Sequence, residues 1–131
     1  MTFKQHLMGS GIAAGAASAA VGGVNSTTTG AGTTRTDATL LPFASVCWIK
    51  TAANNSGVIL PPGNGSGDSM AAGDYMTIYN GDSNTLLLYP PTGGKLNDGT
   101  ASTGTVSIPT HTSVTAISLD GLNFLVSGPT T

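Results

Sequence analysis

Residues 71–97 read AAGDYMTIYNGDSNTLLLYPPTGGKLN, and this stretch decides the fold class. Two short apolar runs, residues 75–79 and 86–89, flank the sequence NGDSN, whose residues tolerate positive φ or bond to their own backbone. An apolar run, a compact turn and a second apolar run together predict a β-hairpin. Pro90 and Pro91 have no N–H for a sheet ladder, so we expect them to end the second strand.

The chain on both sides of this stretch repeats the pattern of short apolar segments separated by turn residues. The segments lie at residues 40–42, 45–51, 58–60, 106–108, 113–119 and 122–126. Asp120-Gly121 is a two-residue hairpin signal between the last two. About eight short strands at close spacing predict an all-β domain, a small antiparallel β-sandwich or barrel.

The first 36 residues form a separate region, an N-terminal arm and linker, and the β-domain occupies residues 37–131. The arm consists largely of small side chains, so it has no core of its own and we expect it to be extended or partly helical. Five glycines between Gly9 and Gly23 interrupt its apolar run, which argues against a cleaved signal peptide and a membrane span. Its few large apolar residues are candidate attachment contacts: Phe3, Leu7, Met8, Ile12 and Val21.

Charge is scarce throughout the sequence. Only 8% of the residues are charged, none is Glu, and the formal net charge is −2. Because nucleic-acid binding relies on Lys and Arg to displace counterions, this composition argues against a nucleic-acid partner. It suits a protein that stays in place on a surface or in an assembly. The single Cys47 lies in an apolar run, which favours a buried small hydrophobe over a metal ligand or a disulfide.

No catalytic or cofactor-binding pattern emerges from the titratable residues. His6 and His111 stand alone, and nearly all six Asp residues neighbour Gly, Asn or Ser, where Asp commonly bonds to a turn backbone. Asn80, Asp82 and Asn84 are spaced as in a calcium loop, but no twelfth-position acid follows them. We therefore expect a non-enzymatic protein without a metal or a cofactor.

Apolar side chains on two faces of the predicted hairpin point to an interface. Tyr75 and Tyr79 share one strand face, and residues 86–88 are apolar on both faces, which indicates a strand covered by a second layer or by another subunit. Tyr75, Tyr79, Leu87 and Tyr89 are therefore candidate subunit-interface residues. The tyrosine pair has an alternative interpretation as a platform that binds a sugar or a receptor.

A resemblance follows from the order of several short motifs. These are GVILP from Gly57, AGD from Ala72, IYN from Ile78, LYPP from Leu88, GGKLN from Gly93, and a last hairpin with the aromatic Phe124. Over residues 58–126, this order resembles small virion structural proteins of tailed bacteriophages, and it is similar to capsid decoration (cement) and head-fibre proteins. Where such relatives often end in Trp, this chain has Phe124.

The resemblance implies a β-rich, usually trimeric domain without enzymatic activity. It implies synthesis in the cytoplasm of a bacterial host, a place on the capsid surface of the virion, and the major capsid protein as partner. No membrane or nucleic-acid partner is expected. The alternative within the same resemblance is a receptor- or glycan-binding module of a head or tail fibre.

Overall fold

The computed structural model describes residues 23–50, 53–61 and 70–128, and nearly all of their regular structure is β. One short 3-10 helix, Arg35–Asp37, is the exception. The strands are β1 (Val24–Asn25), β2 (Thr39–Leu40), β3 (Val46–Ile49), β4 (Ser56–Ile59), β5 (Tyr75–Asn80), β6 (Leu86–Tyr89), β7 (Val106–Ile108), β8 (Ser113–Ser118) and β9 (Phe124–Ser127). The all-β prediction is confirmed.

The strands are divided between two mixed sheets. The five-stranded sheet has the order β1-β3-β5-β8-β9, and the four-stranded sheet has the order β2-β4-β6-β7. From β1 to β6, consecutive strands alternate between the two sheets, so strands that are neighbours within a sheet are two apart in the sequence. These neighbours run parallel, and β7, β8 and β9 then add antiparallel strands.

The predicted hairpin of β5 and β6 is wrong, since these two strands belong to different sheets. The side chain of Asn80, at the end of β5, explains the path between them. Its Nδ2 donates to the backbone oxygens of Asn84 at 2.7 Å and Ile108 at 3.0 Å, and its Oδ1 accepts from the N–H of Asp82 at 3.0 Å. Asn80 thereby fixes a turn that carries the chain from one sheet to the other.

The prediction of antiparallel sheets is also wrong for half of the structure. β3 pairs in parallel with β5, and β4 pairs in parallel with β6. The physical reason is that consecutive strands alternate between the sheets. The chain passes through the other sheet before it returns, so the returning strand runs in the same direction as the strand that it joins. Only the last part of the chain, from β7 onward, pairs as predicted.

The predicted pairing of the last two strands is confirmed, but the turn is longer than two residues. β8 and β9 are antiparallel neighbours, and residues 119–123 connect them. The Asp120 carboxylate accepts the N–H groups of Leu122 at 2.9 Å and Asn123 at 2.7 Å. Because an aspartate can satisfy a turn backbone in this way, the loop closes over five residues instead of two.

Inward-facing side chains from both sheets join in a single buried cluster. Along β5, Met76, Ile78 and Asn80 are buried, whereas the alternate residues are partly or largely exposed. The largest fully buried side chains are Phe124, Leu41, Ile49, Leu60, Met70, Met76, Ile78, Leu86, Leu88, Ile108, Val58 and Val114. No helix among the described residues is long and apolar enough to cross a membrane.

The edge of β9 that faces away from β8 is paired with residues 95–97 of the same chain. The side chain of Asn97 accepts the Val126 N–H at 2.8 Å and donates to the Val126 carbonyl at 3.0 Å. The Lys95 carbonyl accepts the Phe124 N–H at 2.9 Å, and the Asn97 N–H donates to the Phe124 carbonyl at 3.0 Å. These contacts satisfy the backbone groups that would otherwise template another strand.

Candidate functional site: the outward face of the five-stranded sheet

The side chains of the five-stranded sheet that point away from the core form a partly exposed β-surface. We call this surface the open face. It comprises Trp48, Tyr75, Thr77, Tyr79, Thr115, Ile117 and Leu125, placed beside one another by the strand register. No strand of this sheet carries a charged side chain.

At one end of the open face, Trp48 lies opposite Tyr79 across β3 and β5. The two rings have centroids 6.4 Å apart and planes tilted by 56°, an edge-to-face type of contact. The indole is 42% exposed, and Lys50 Nζ lies 4.4 Å from its centroid. A Cβ on Gly81 would collide with the indole Nε1, so the glycine at this position allows the tryptophan its place.

At the other end, three large side chains lie in one row across β5, β8 and β9. Tyr75 is opposite Ile117, and Ile117 is opposite Leu125. Tyr75 is 61% exposed and Leu125 is 48% exposed, and the exposed Leu119 follows directly after β8. This row and the Trp48–Tyr79 pair are two apolar groups at opposite ends of the face.

Between the two groups lies a threonine band. Thr77 and Thr115 face each other across β5 and β8, with their hydroxyl oxygens 3.3 Å apart. Both residues are half-buried. One hydroxyl donates to the other, and this hydrogen bond reduces the desolvation cost of covering the middle of the open face with another surface.

The outward face of the four-stranded sheet differs, because the chain covers part of it. Tyr89 is only 6% exposed. A Cβ on Gly57 would lie 2.6 Å from Tyr89 Cε2 and 2.9 Å from Ala38 Cβ, so the tyrosine ring lies over the glycine. The guanidinium of Arg35, on the same side, donates to the Pro90 carbonyl at 3.3 Å.

The four predicted interface residues therefore fall into two environments. Tyr75 and Tyr79 lie together on the open face. Leu87 is half-buried in the row of Gly57 and Ser107 on the opposite side of the molecule, and Tyr89 is buried within its own chain. The structure does not bring the four residues together, and subunit contact at any of them stays a prediction.

Trp48 is the residue that sequence reasoning missed. Its neighbours Cys47 and Ile49 are fully buried, so the alternation of a strand places Trp48 on the outward side. That alternation was available in the sequence. The predicted attachment residues Phe3, Leu7, Met8, Ile12 and Val21 lie outside the described residues.

Two aspartates of the described residues bond to turn backbones, and the cysteine lies in the core. The Asp74 carboxylate accepts the Ala71 N–H at 2.9 Å, and the Asp82 carboxylate accepts the Asn84 N–H at 3.2 Å. Burial raises the pKa of the Cys47 thiol to about 12, so this cysteine is protonated at neutral pH and unsuited to nucleophilic chemistry. In the part of the chain that the structure describes, no three His, Cys, Asp or Glu side chains are grouped to hold a metal ion.

Comparisons with known proteins add no relative. No protein-family model, no curated protein and no solved structure matches this chain.

Proposed function

We propose that this protein is a non-enzymatic structural protein of a tailed-bacteriophage virion that decorates and stabilises the capsid surface. The open face, whose strands carry no charged side chain, is the observation that carries this proposal. A sheet surface with large apolar side chains at both ends and a hydrogen-bonded threonine pair between them is suited to permanent burial against protein. The low overall charge of 8% fits a protein that stays in an assembly.

In this proposal the two sheets constitute a small sandwich, and copies of it associate as a homotrimer. Tyr75 and Tyr79 of the open face supply the subunit contact. A domain of this size buries a modest fraction of its surface when it folds alone, so association adds stability by mass action. The threefold state is taken from the family resemblance.

The N-terminal arm, residues 1–36, attaches each trimer to the major capsid protein. Its sequence is almost uncharged and rich in small side chains, which allow a backbone to approach another surface closely. Deletion of residues 1–22, which leaves β1 and the Ala31–Gly57 backbone pair in place, is therefore expected to abolish binding to capsids that lack the protein, while the circular-dichroism spectrum of the β-domain is retained. Co-sedimentation with such capsids measures the loss. Full occupancy by the truncated protein would show that the β-domain carries the contact.

A second candidate function is favoured by Trp48. An exposed indole held at a fixed angle beside Tyr79 is a surface on which a sugar ring can stack. A receptor- or glycan-binding fibre module would use it in this way. Trp48→Ala separates the two functions: loss of glycan binding with normal capsid occupancy supports the fibre module, and the reverse supports the decoration protein.

A further inference from the structure

A cleft of about 360 Å³ lies on the outward side of the four-stranded sheet. It is lined by Arg35, Leu40, Ile59, Leu60, Pro91 and Thr92. Leu60 and Pro91 are buried and Ile59 is half-buried, so the cleft has an apolar floor beneath one cationic side chain. Apolar walls with a few convergent polar groups are the usual composition of a ligand site.

Arg35 is held in place with part of its donor capacity unused. Its Nε and Nη2 donate to the Pro90 carbonyl at 3.4 and 3.3 Å, and Nη2 also donates to Thr92 Oγ1 at 3.0 Å. A guanidinium has five N–H donors, so the two on Nη1 are left over within the described chain. Thr92 Oγ1 accepts from Arg35, and its own hydroxyl hydrogen can be donated to a ligand.

Within the described residues, no acidic side chain compensates the charge of Arg35. The nearest acidic side chain in sequence, Asp37, accepts a hydrogen bond from Thr34 at 3.3 Å, and no described carboxylate forms an ion pair with Arg35. A half-buried cation above an apolar floor gains from an anion more than an exposed one does, because less water screens the attraction. A carboxylate matches the planar guanidinium best.

The surroundings of the cleft favour the end of a peptide chain as the source of that carboxylate. β2 is the edge strand of its sheet, and Leu40, which lines the cleft, is 56% exposed. In the parallel pairing, the Leu41 N–H bonds to the Ile59 carbonyl, which directs the backbone groups of the alternate residue Leu40 outward. A partner polypeptide whose last residue lies in the cleft can therefore pair its backbone with the free edge of β2 by strand addition.

We propose that this cleft binds the carboxy-terminal carboxylate of a partner polypeptide whose last side chain is apolar. Arg35 Nη1 and the Thr92 hydroxyl receive the carboxylate, and Leu40, Ile59 and Leu60 contact the last side chain. The occupant is a partner chain in an assembly, and the site is on the opposite side of the molecule from the open face.

The test is calorimetric titration of the full chain with the dipeptide N-acetyl-Val-Leu, in its free-acid and carboxamide forms. The free acid is expected to bind at least about tenfold more tightly than the carboxamide, because only the acid makes a charge-assisted pair with the guanidinium. Equal binding of the two forms, or no binding of the acid up to about 10 mM, overturns the proposal.

Two matched substitutions locate the site. Leu40→Asp places a negative charge at the cleft without touching the hydrogen bonds of Arg35, and it should weaken binding of the free acid by at least about tenfold. Leu125→Asp makes the same change on the open face and should leave this affinity within about twofold. A folded Leu40→Asp variant that binds like the wild type overturns the assignment. Binding of octanoate without binding of the dipeptide would overturn a peptide occupant.

Discussion

The outward faces of the two sheets contain the same kinds of residue in opposite environments. Tyr89, on the four-stranded sheet, is buried over Gly57 and Ala38, whereas Tyr75, on the five-stranded sheet, is 61% exposed. The difference comes from what lies opposite each ring. Tyr89 lies over a glycine in the neighbouring strand and is only 6% exposed, whereas Tyr75 projects from the open face. The same aromatic side chain is therefore part of the fold's own packing on one face and largely exposed to solvent on the other.

The largest expected difference between the two faces is in the cost of removing a tyrosine ring from each. Tyr89→Ala is expected to lower the free energy of unfolding by about 3–5 kcal/mol, because it empties a buried site. Tyr75→Ala should change it by about 0.5 kcal/mol or less when measured below the concentration at which subunits associate. Urea denaturation of both variants measures the two values. Similar losses for both would contradict the assignment of one covered and one open face.

A smaller effect is expected when a methyl group is added beneath Tyr89. Gly57→Ala forces the Tyr89 ring and Ala38 apart, since a Cβ would lie 2.6 and 2.9 Å from their nearest atoms. Overpacking of this kind costs about 1–3 kcal/mol. Ser127→Ala, at the exposed end of β9, is the control and should be neutral within about 0.5 kcal/mol. A neutral Gly57→Ala variant in thermal denaturation would show that the cover over this face is loose.

The smallest expected effect concerns the loop at the Tyr75 end of the open face. Hydrogen bonds from the backbone and side chain of Asn123 and from the backbone of Leu122 lower the pKa of Asp120 below its ordinary value of 3.8. A group whose pKa is lower in the folded state stabilises the fold above its unfolded pKa, and this contribution is lost as the pH falls through the folded pKa. Stability should therefore decline below about pH 4.

Asp120→Asn removes this carboxylate, so the variant should be slightly less stable than the wild type at neutral pH, and the difference should shrink as the pH falls below about 4. Asp98→Asn, in the exposed turn before β7, is a matched control because the Asp98 side chain forms no hydrogen bond with another described residue. Denaturation midpoints of the two variants at pH 3 to 7 give the comparison. If Asp120→Asn loses as much stability between pH 7 and pH 3 as the wild type does, the Asp120 loop is not the source of the loss of stability in acid.

The positions of β3 to β9 were predictable from the sequence, but β1 and the partners of most strands were not. Alternation placed Tyr75 and Tyr79 on one face of β5, as the structure has them, because side-chain direction depends only on local geometry. The residues NGDSN between β5 and β6 are compatible with a hairpin and with a passage to another sheet. The passage is decided by Asn80, whose amide bonds to Ile108, 28 residues further along the chain.

In the candidate site, too, the position of some residues could be predicted from the sequence and that of others could not. The outward position of Tyr75 and Tyr79 follows from alternation, and that of Trp48 could have been predicted in the same way. The burial of Tyr89 depends on Gly57, 32 residues earlier, which lies beside Leu87 in the parallel register and leaves room for the ring. No local pattern in the sequence carries information on a contact of that kind.

The central claim is that the open face is buried between copies of this protein. Light scattering of the full chain at micromolar concentration tests it most directly, with Leu125→Lys on the open face and Ser107→Lys on the opposite face as a matched pair. We predict a mass of about three times the 12.9 kDa chain for the wild type and for Ser107→Lys, and a monomer for Leu125→Lys. A monomeric wild type, with unfolding independent of protein concentration, would contradict the claim.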